Sequence, residues 1–149
     1  PEQLTWGSSG MYTKQMLGLS QCEDAIDAMV VDFNKNPNRR PVDMAIVDDM
    51  GNLLAYARMD GCHRPTFAIS KAYTSAIRRM DTVAFADQLK TQARNLADFG
   101  DPQLVIIQGG LVIETGDGRL LGGIGVGGLP SGKDDEDIAR AGLEALGKL

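Results

Sequence analysis

His63 is the only histidine of the chain and lies in the loop "DGCHRP", residues 60–65, beside Cys62 and Arg64. An imidazole titrates near neutrality, so it can carry a proton or give a lone pair to a metal such as iron. Cys62 and Met59 bring a thiol and a thioether, both soft metal ligands, to the same corner. A single histidine excludes bis-histidine ligation within one chain, although two copies could share a metal. Arg58 and Arg64 flank the loop and could clamp a carboxylate through paired hydrogen bonds. Lys71 stands on an otherwise apolar helical stretch; buried there, it could neutralise a carboxylate or act as a base. Each residue also has a plainer reading. A lone loop histidine is ordinarily surface, Met59 suits the last core position of a strand, and Lys71 could pair with Asp60.

The second chemical signal is "GGIGVGGLPSGKDDEDIARAGLEAL", residues 122–146. Gly123, Gly125 and Gly128 spell G-x-G-x-x-G, and Gly127 to Lys133 spell G-x-x-x-x-G-K. The dinucleotide fingerprint needs a parallel βαβ unit and a later ribose-binding acid, and too little chain follows. The phosphate loop needs Ser or Thr after its lysine, where this chain has Asp134. Asp134, Asp135, Glu136 and Asp137 would occupy the first turn of the last helix and repel an incoming phosphate. Consecutive helical positions diverge, so Asp134, Asp135 and Glu136 are expected to stabilise the helix end and not to converge on a cation. The glycines then have two readings. They permit close packing of a strand on a helix, or they floor a shallow cleft for a flat ligand near Gly109, Gly110, Gly128, Ser131 and Gly132.

These residues must be positioned by a modest set of elements. Residues 1–18 are irregular, with at most a short strand near Met11–Leu17. Ser20 and Glu23 form a capping box for a helix to about Lys35, with Ile26, Met29, Val30 and Phe33 on its inner stripe. Residues 42–48 and 52–59 form a hairpin around "DDMGN". A helix over 66–79, with Pro65 suited to its first turn, aligns Ala68, Ala72 and Ala76 for close packing, and another follows over 82–97. "QLVIIQ", "LVIET" and "RLLGGIGV", separated by "GG" and "GDG", predict an antiparallel meander. The last helix opens at or just after Ser131 and runs to about Leu146. The order α-β-β-α-α-β-β-β-α predicts an α+β fold, a five-stranded antiparallel sheet flanked by helices, and not a parallel doubly wound sheet.

With 149 residues and 43% hydrophobic content the chain suits one domain. A net charge of −5 lacks the basic footprint of a nucleic-acid binder. Cys22 and Cys62 stand far apart without zinc-like spacing, which suits a reducing compartment. No stretch is apolar enough to cross a membrane, and the first residues lack the order of a signal peptide, so the expectation is cytoplasmic.

"RMDGCHRPTFAISKAYTSA" followed by the terminal glycine block resembles the GlcG/HbpS-like family, the haem-degrading domain related to the C-terminal domain of PduO-type proteins. The likeness spans about Leu19 to Leu146. It is carried by Arg58-Met59-Asp60-Gly61, by Lys71-Ala72-Tyr73-Thr74, by Gly109-Gly110 and by Gly-Val-Gly-Gly with the acidic run. The resemblance implies a profilin-like fold, assembly into a homo-oligomer and a ligand site linked to haem or another tetrapyrrole. Three functional readings follow. One is a small-molecule binding protein for haem or another flat, carboxylate-bearing ligand, using Arg58, Asp60, Gly61, Cys62, Lys71, Gly109, Gly110, Gly128, Ser131 and Gly132, with His63 on the metal. Another is an enzyme on a small organic acid, with Lys71 or His63 transferring a proton. A third is an assembly or accessory subunit whose glycine face packs on a partner.

Overall fold

The computed structural model describes residues 7, 10–63, 66–147 and 149. Strand β1, Asp43–Asp48, is buried along its whole length. It alternates as a strand between two cores must: Met44 and Ile46 enter one, Ala45 and Val47 the other. Its turn is set by Asp48, whose Oδ1 accepts the amides of Met50 and Asn52, each at 2.9 Å, while Gly51 takes φ +82. Strand β2, Leu53–Arg58, returns antiparallel along β1. Strands β3, Gly110–Glu114, and β4, Leu120–Gly127, form the second hairpin. The sheet order is β2-β1-β4-β3, every pair antiparallel.

Helices α1, Leu19–Phe33, and α4, Gly132–Ala145, cover the face carrying Met44, Ile46, Ile124 and Val126. Helix α2, Ala68–Arg78, lies on the other face, where Ala68, Ala72 and Ala76 meet Ala45 and Val47. The contrast comes from β4. On the α1–α4 side it carries Ile124 and Val126, whereas Gly123, Gly125 and Gly127 alternate on the α2 side. A Cβ on any of the three would run into the main-chain carbonyl oxygen of Ala72, Ala68 or Thr66 respectively. The helix main chain therefore rests on the sheet main chain. The glycines serve packing, and the open floor for a flat ligand is absent because α2 already covers it.

Four strands form, not five, among the described residues. The predicted strand "QLVIIQ" is irregular because its would-be neighbour has no free edge. On β3 the Val112 amide donates to Asp81 Oδ1 at 2.9 Å and the Gly110 amide to Thr82 Oγ1 at 3.0 Å. The Val105 amide is likewise taken by Thr74 Oγ1 at 3.0 Å, so the segment follows α2. The helix expected over 82–97 divides into α3, Thr82–Thr91, and a 3₁₀ turn, Leu96–Phe99. Ala93 at φ +51 ends α3, with Arg94 N–H returning to the Leu89 carbonyl at 3.0 Å. Helix α1 starts at Leu19, one residue before the Ser20 capping box, and Gln21 Oε1 accepts the Gly18 amide at 3.0 Å. No short strand forms at 11–17. Pro65 lies outside the described residues.

Gly125→Ala is expected to destabilise the protein by about 2–3 kcal/mol in urea unfolding, because the new methyl must push α2 off the sheet. A change within about 0.5 kcal/mol, the size of a neutral surface substitution, would show that α2 and β4 are not in main-chain contact.

Candidate functional site

At the end of the sheet where β1 begins and β4 finishes, the chain leaves a cleft of about 150 Å³ lined by Arg40, Pro41, Gly61, Cys62, His63, Thr66 and Gly128. Gly61 at φ +83 turns the loop after β2, and the Cys62 amide closes it onto the Met59 carbonyl at 3.0 Å. His63 is exposed, and its Nδ1 lies 2.8 Å from the Gly61 carbonyl. A carbonyl only accepts, so Nδ1 carries a proton, and in the neutral imidazole the lone pair then belongs to Nε2. Arg40 reaches across the cleft and donates to the Gly128 carbonyl at 3.0 Å.

Behind the cleft lies a polar cluster. Asp43 is buried, accepting from Tyr56 OH at 2.8 Å and from Thr66 Oγ1. Burial first, and the Asp43 hydrogen bond second, push the Tyr56 phenol up to about 12. The Cys62 thiol is also pushed up, by burial and then by the Asp43 charge, against an opposing pull from Arg58. A thiol so placed favours its protonated form in the metal-free protein.

The structure separates Lys71 from this cleft. Lys71 is 2% exposed, and its ammonium donates to Asp135 Oδ2 at 3.0 Å and to the Val126 carbonyl at 2.9 Å. Asp135 is equally buried, and its Oδ1 accepts the Leu129 amide at 3.1 Å. Burial lifts the Asp135 carboxyl above its usual range, and the Lys71 charge opposes that rise. Thus the partner of Lys71 is Asp135 and not Asp60, and Asp135 leaves the helix end to hold it. Ser131 caps α4 without a side-chain hydrogen bond and is exposed. Asp134 is exposed, Lys133 pairs with Asp137 at 2.5 Å, and Glu136 sits 3.7 Å from Arg140. No group of three or more His, Cys, Asp or Glu able to hold a metal ion occurs among the described residues.

Of the remaining sequence candidates, Gly61, Cys62, His63 and Gly128 come together at the cleft. Arg58 and Asp60 are exposed beside it, while Met59 packs against the main core. Arg64 lies outside the described residues. Gly109 and Gly110 serve packing: a Cβ on Gly109 would come 2.8 Å from Lys71 Nζ, and one on Gly110 would meet Ser75 Oγ at 2.7 Å. Gly132 abuts Gln108 in the same way. Arg40, Asp43, Tyr56 and Thr66 escaped the sequence reading. Asp43 alone carries a sequence signal, as an acid opening a strand whose residues 44–47 are apolar.

A four-stranded antiparallel sheet between helical layers, with a small cleft at one end, defines a single-sheet α+β domain. The chain belongs to the HbpS-like family: the family model described as haem degrading protein HbpS-like matches residues 17–144. It is similar to protein GlcG of Escherichia coli strain K12, 33% identical over 118 residues, which cover 78% of this chain and 84% of that protein. A crystal structure of a double mutant of Streptomyces reticuli HbpS matches with a TM-score of 0.82 at 30% identity, covering 99% of each chain. The crystal structure of a PduOC–heme complex matches with a TM-score of 0.76 at 25% identity, over 88% of this chain and 95% of that one. No helix of the described residues is long and apolar enough to cross a membrane.

Tyr56 should ionise near pH 12, above the ordinary value of about 10. The folded state then keeps a proton that the unfolded chain releases, so stability falls as pH rises from about 10 through about 12. A phenolate absorbance titration of wild type against Tyr56→Phe isolates the group, and Asp43→Asn should lower its midpoint. A Tyr56 midpoint near 10 would show that the Asp43 contact is absent in solution.

Proposed function

We propose that the chain is a small-molecule binding protein whose ligand is haem or another flat, carboxylate-bearing tetrapyrrole, held at the His63 cleft by a homo-oligomer. The observation that carries this reading is the exposed His63 imidazole at the cleft, whose Nδ1 is engaged by the Gly61 carbonyl. A hydrogen-bonded first nitrogen fixes the tautomer and raises the basicity of the second toward a metal. Family membership and the likeness to a haem-complexed PduOC structure support the same ligand class.

The residues fit such a ligand in part. His63 would hold the metal and Arg40 would meet a carboxylate, while Cys62 stays a neutral wall. The cleft of about 150 Å³ is smaller than the roughly 300–1,000 Å³ of pockets that enclose drug-sized ligands. Only an edge of a tetrapyrrole enters it, so a second copy of the chain would cover the rest. Bound haem would supply a redox-active iron; this chain contributes ligation, charge neutralisation and a dry wall. An acid–base role for Lys71 finds no geometric support, since its ammonium is shut away from the cleft and engaged with Asp135.

Adding haem to the protein should give a sharp Soret band, and His63→Ala should weaken binding at least tenfold or shift the band. Arg40→Gln should weaken binding by roughly fivefold, the equivalent of about 1 kcal/mol. Haem that keeps its free, aggregated spectrum, or a His63→Ala titration identical to wild type, would overturn the reading.

A further inference from the structure

Strand β2 is an edge of the sheet, and no strand of the described residues pairs with its outer side. The Met59 amide donates to the Val42 carbonyl at 3.0 Å. Hydrogen-bonded pairs alternate along an antiparallel ladder, so in the same register Ala57 bonds Met44 and Ala55 bonds Ile46. The main-chain N–H and C=O groups of Tyr56 and Arg58 therefore point away from β1. The other edge is closed, because Asp81 and Thr82 take the free amides of β3. Open edges are ordinarily blunted by proline, lysine or a bulge. The strand "LLAYAR" has no proline or lysine, and its one register shift falls at Leu54, leaving 55–58 regular.

The exposed groups of this edge are complementary to themselves. Leu53 and Tyr56 are 50% and 41% exposed, and Arg58 is exposed beyond them. Tyr56 and Arg58 stand opposite Ala45 and Asp43, on the α2 side of the sheet. On the other side, Ala55 and the α1 residues Leu19 and Ile26 line a groove of about 400 Å³, with Glu23 and Asp27 exposed at its rim. A two-fold axis at Ala57 sets Tyr56 of one copy against Arg58 of the other, twice. That register uses the free N–H and C=O of both residues on both chains. It also brings each guanidinium to a phenol whose hydroxyl is held by the Asp43 carboxylate, so opposite charges and a cation–π pair meet. A foreign strand has no reason to match this palindrome, whereas a second copy matches it by symmetry.

We propose that β2 pairs antiparallel with β2 of a second copy about a two-fold axis through Ala57, joining two sheets into one. Continuing the register, Leu53 of the second copy falls opposite Gly61. Its exposed Met50 and Leu53 then border the His63 cleft and supply the cover that a flat ligand there requires. That consequence rests on the haem reading; the pairing itself does not.

Disulfide trapping in the haem-free protein tests the register. At the axis residue 57 faces its own copy in a non-hydrogen-bonded pair, with Cα atoms about 4.5 Å apart, within the span of a disulfide. Residue 55 faces residue 59 of the other copy, so the two residues 55 lie about 13 Å apart. Under mild oxidant Ala57→Cys should give at least tenfold more covalent dimer than Ala55→Cys or the parent chain, whose own Cys22 and Cys62 are buried. Tyr56→Lys sets a like charge against Arg58 and should weaken the dimer at least tenfold in sedimentation. In that variant the Arg58 amide should exchange its hydrogen at least tenfold faster than in the parent. A monomeric parent protein, equal cross-linking at positions 55 and 57, or an Arg58 amide that exchanges freely in the parent dimer would overturn the proposal.

Discussion

An ammonium and a carboxylate meet at 3.0 Å between α2 and the first turn of α4, both almost wholly withdrawn from water. Desolvating two charges costs several kcal/mol each, and the cost is offset only when geometry and further hydrogen bonds are good. Here they are: the Val126 carbonyl completes the Lys71 environment, and the Leu129 amide completes that of Asp135. The pair thereby joins α2, the end of β4, the loop after it and α4. Its geometry requires Gly109, whose side chain would collide with the ammonium, and Gly125, whose side chain would collide with α2. The glycine block that looks like a phosphate grip is the clearance around a buried ion pair and a helix laid on a sheet.

The same junction shapes the cleft. The Leu129 amide held by Asp135 fixes the loop whose Gly128 forms one wall, while Arg40 bridges to the Gly128 carbonyl. On the other side, Asp43 draws in Tyr56 and Thr66. Burial, and then the Asp43 charge, push the Cys62 thiol up, while His63 stands exposed at the same corner.

Periodicity made much of the fold legible in the sequence. The β1–β2 hairpin with its Asp48–Gly51 turn, the alanine line of α2 and the terminal helix follow from local spacing and turn chemistry. "QLVIIQ" misled because an apolar run states only that a segment suits a strand, not that a neighbouring edge is free, and Asp81 and Thr82 occupy that edge. The acidic run misled for a related reason. Helix-end electrostatics explain Asp134 and an i,i+4 pair with Lys133 explains Asp137, but nothing local distinguishes Asp135, whose partner lies 64 residues away. His63, Cys62, Gly61 and Gly128 were visible as a motif. Tyr56, Thr66 and Arg40 were not, because their roles arise only when three separate segments meet at one sheet end.

A double-mutant cycle on the buried pair tests this account most directly. In urea unfolding, Lys71→Met and Asp135→Leu should each cost about 3–5 kcal/mol, because each strands an unpaired charge in the interior. The double variant should recover much of that loss, with a coupling of at least about 2 kcal/mol. Additive effects of the two substitutions, or single losses below about 1 kcal/mol, would show that the Lys71–Asp135 contact does not hold the fold together.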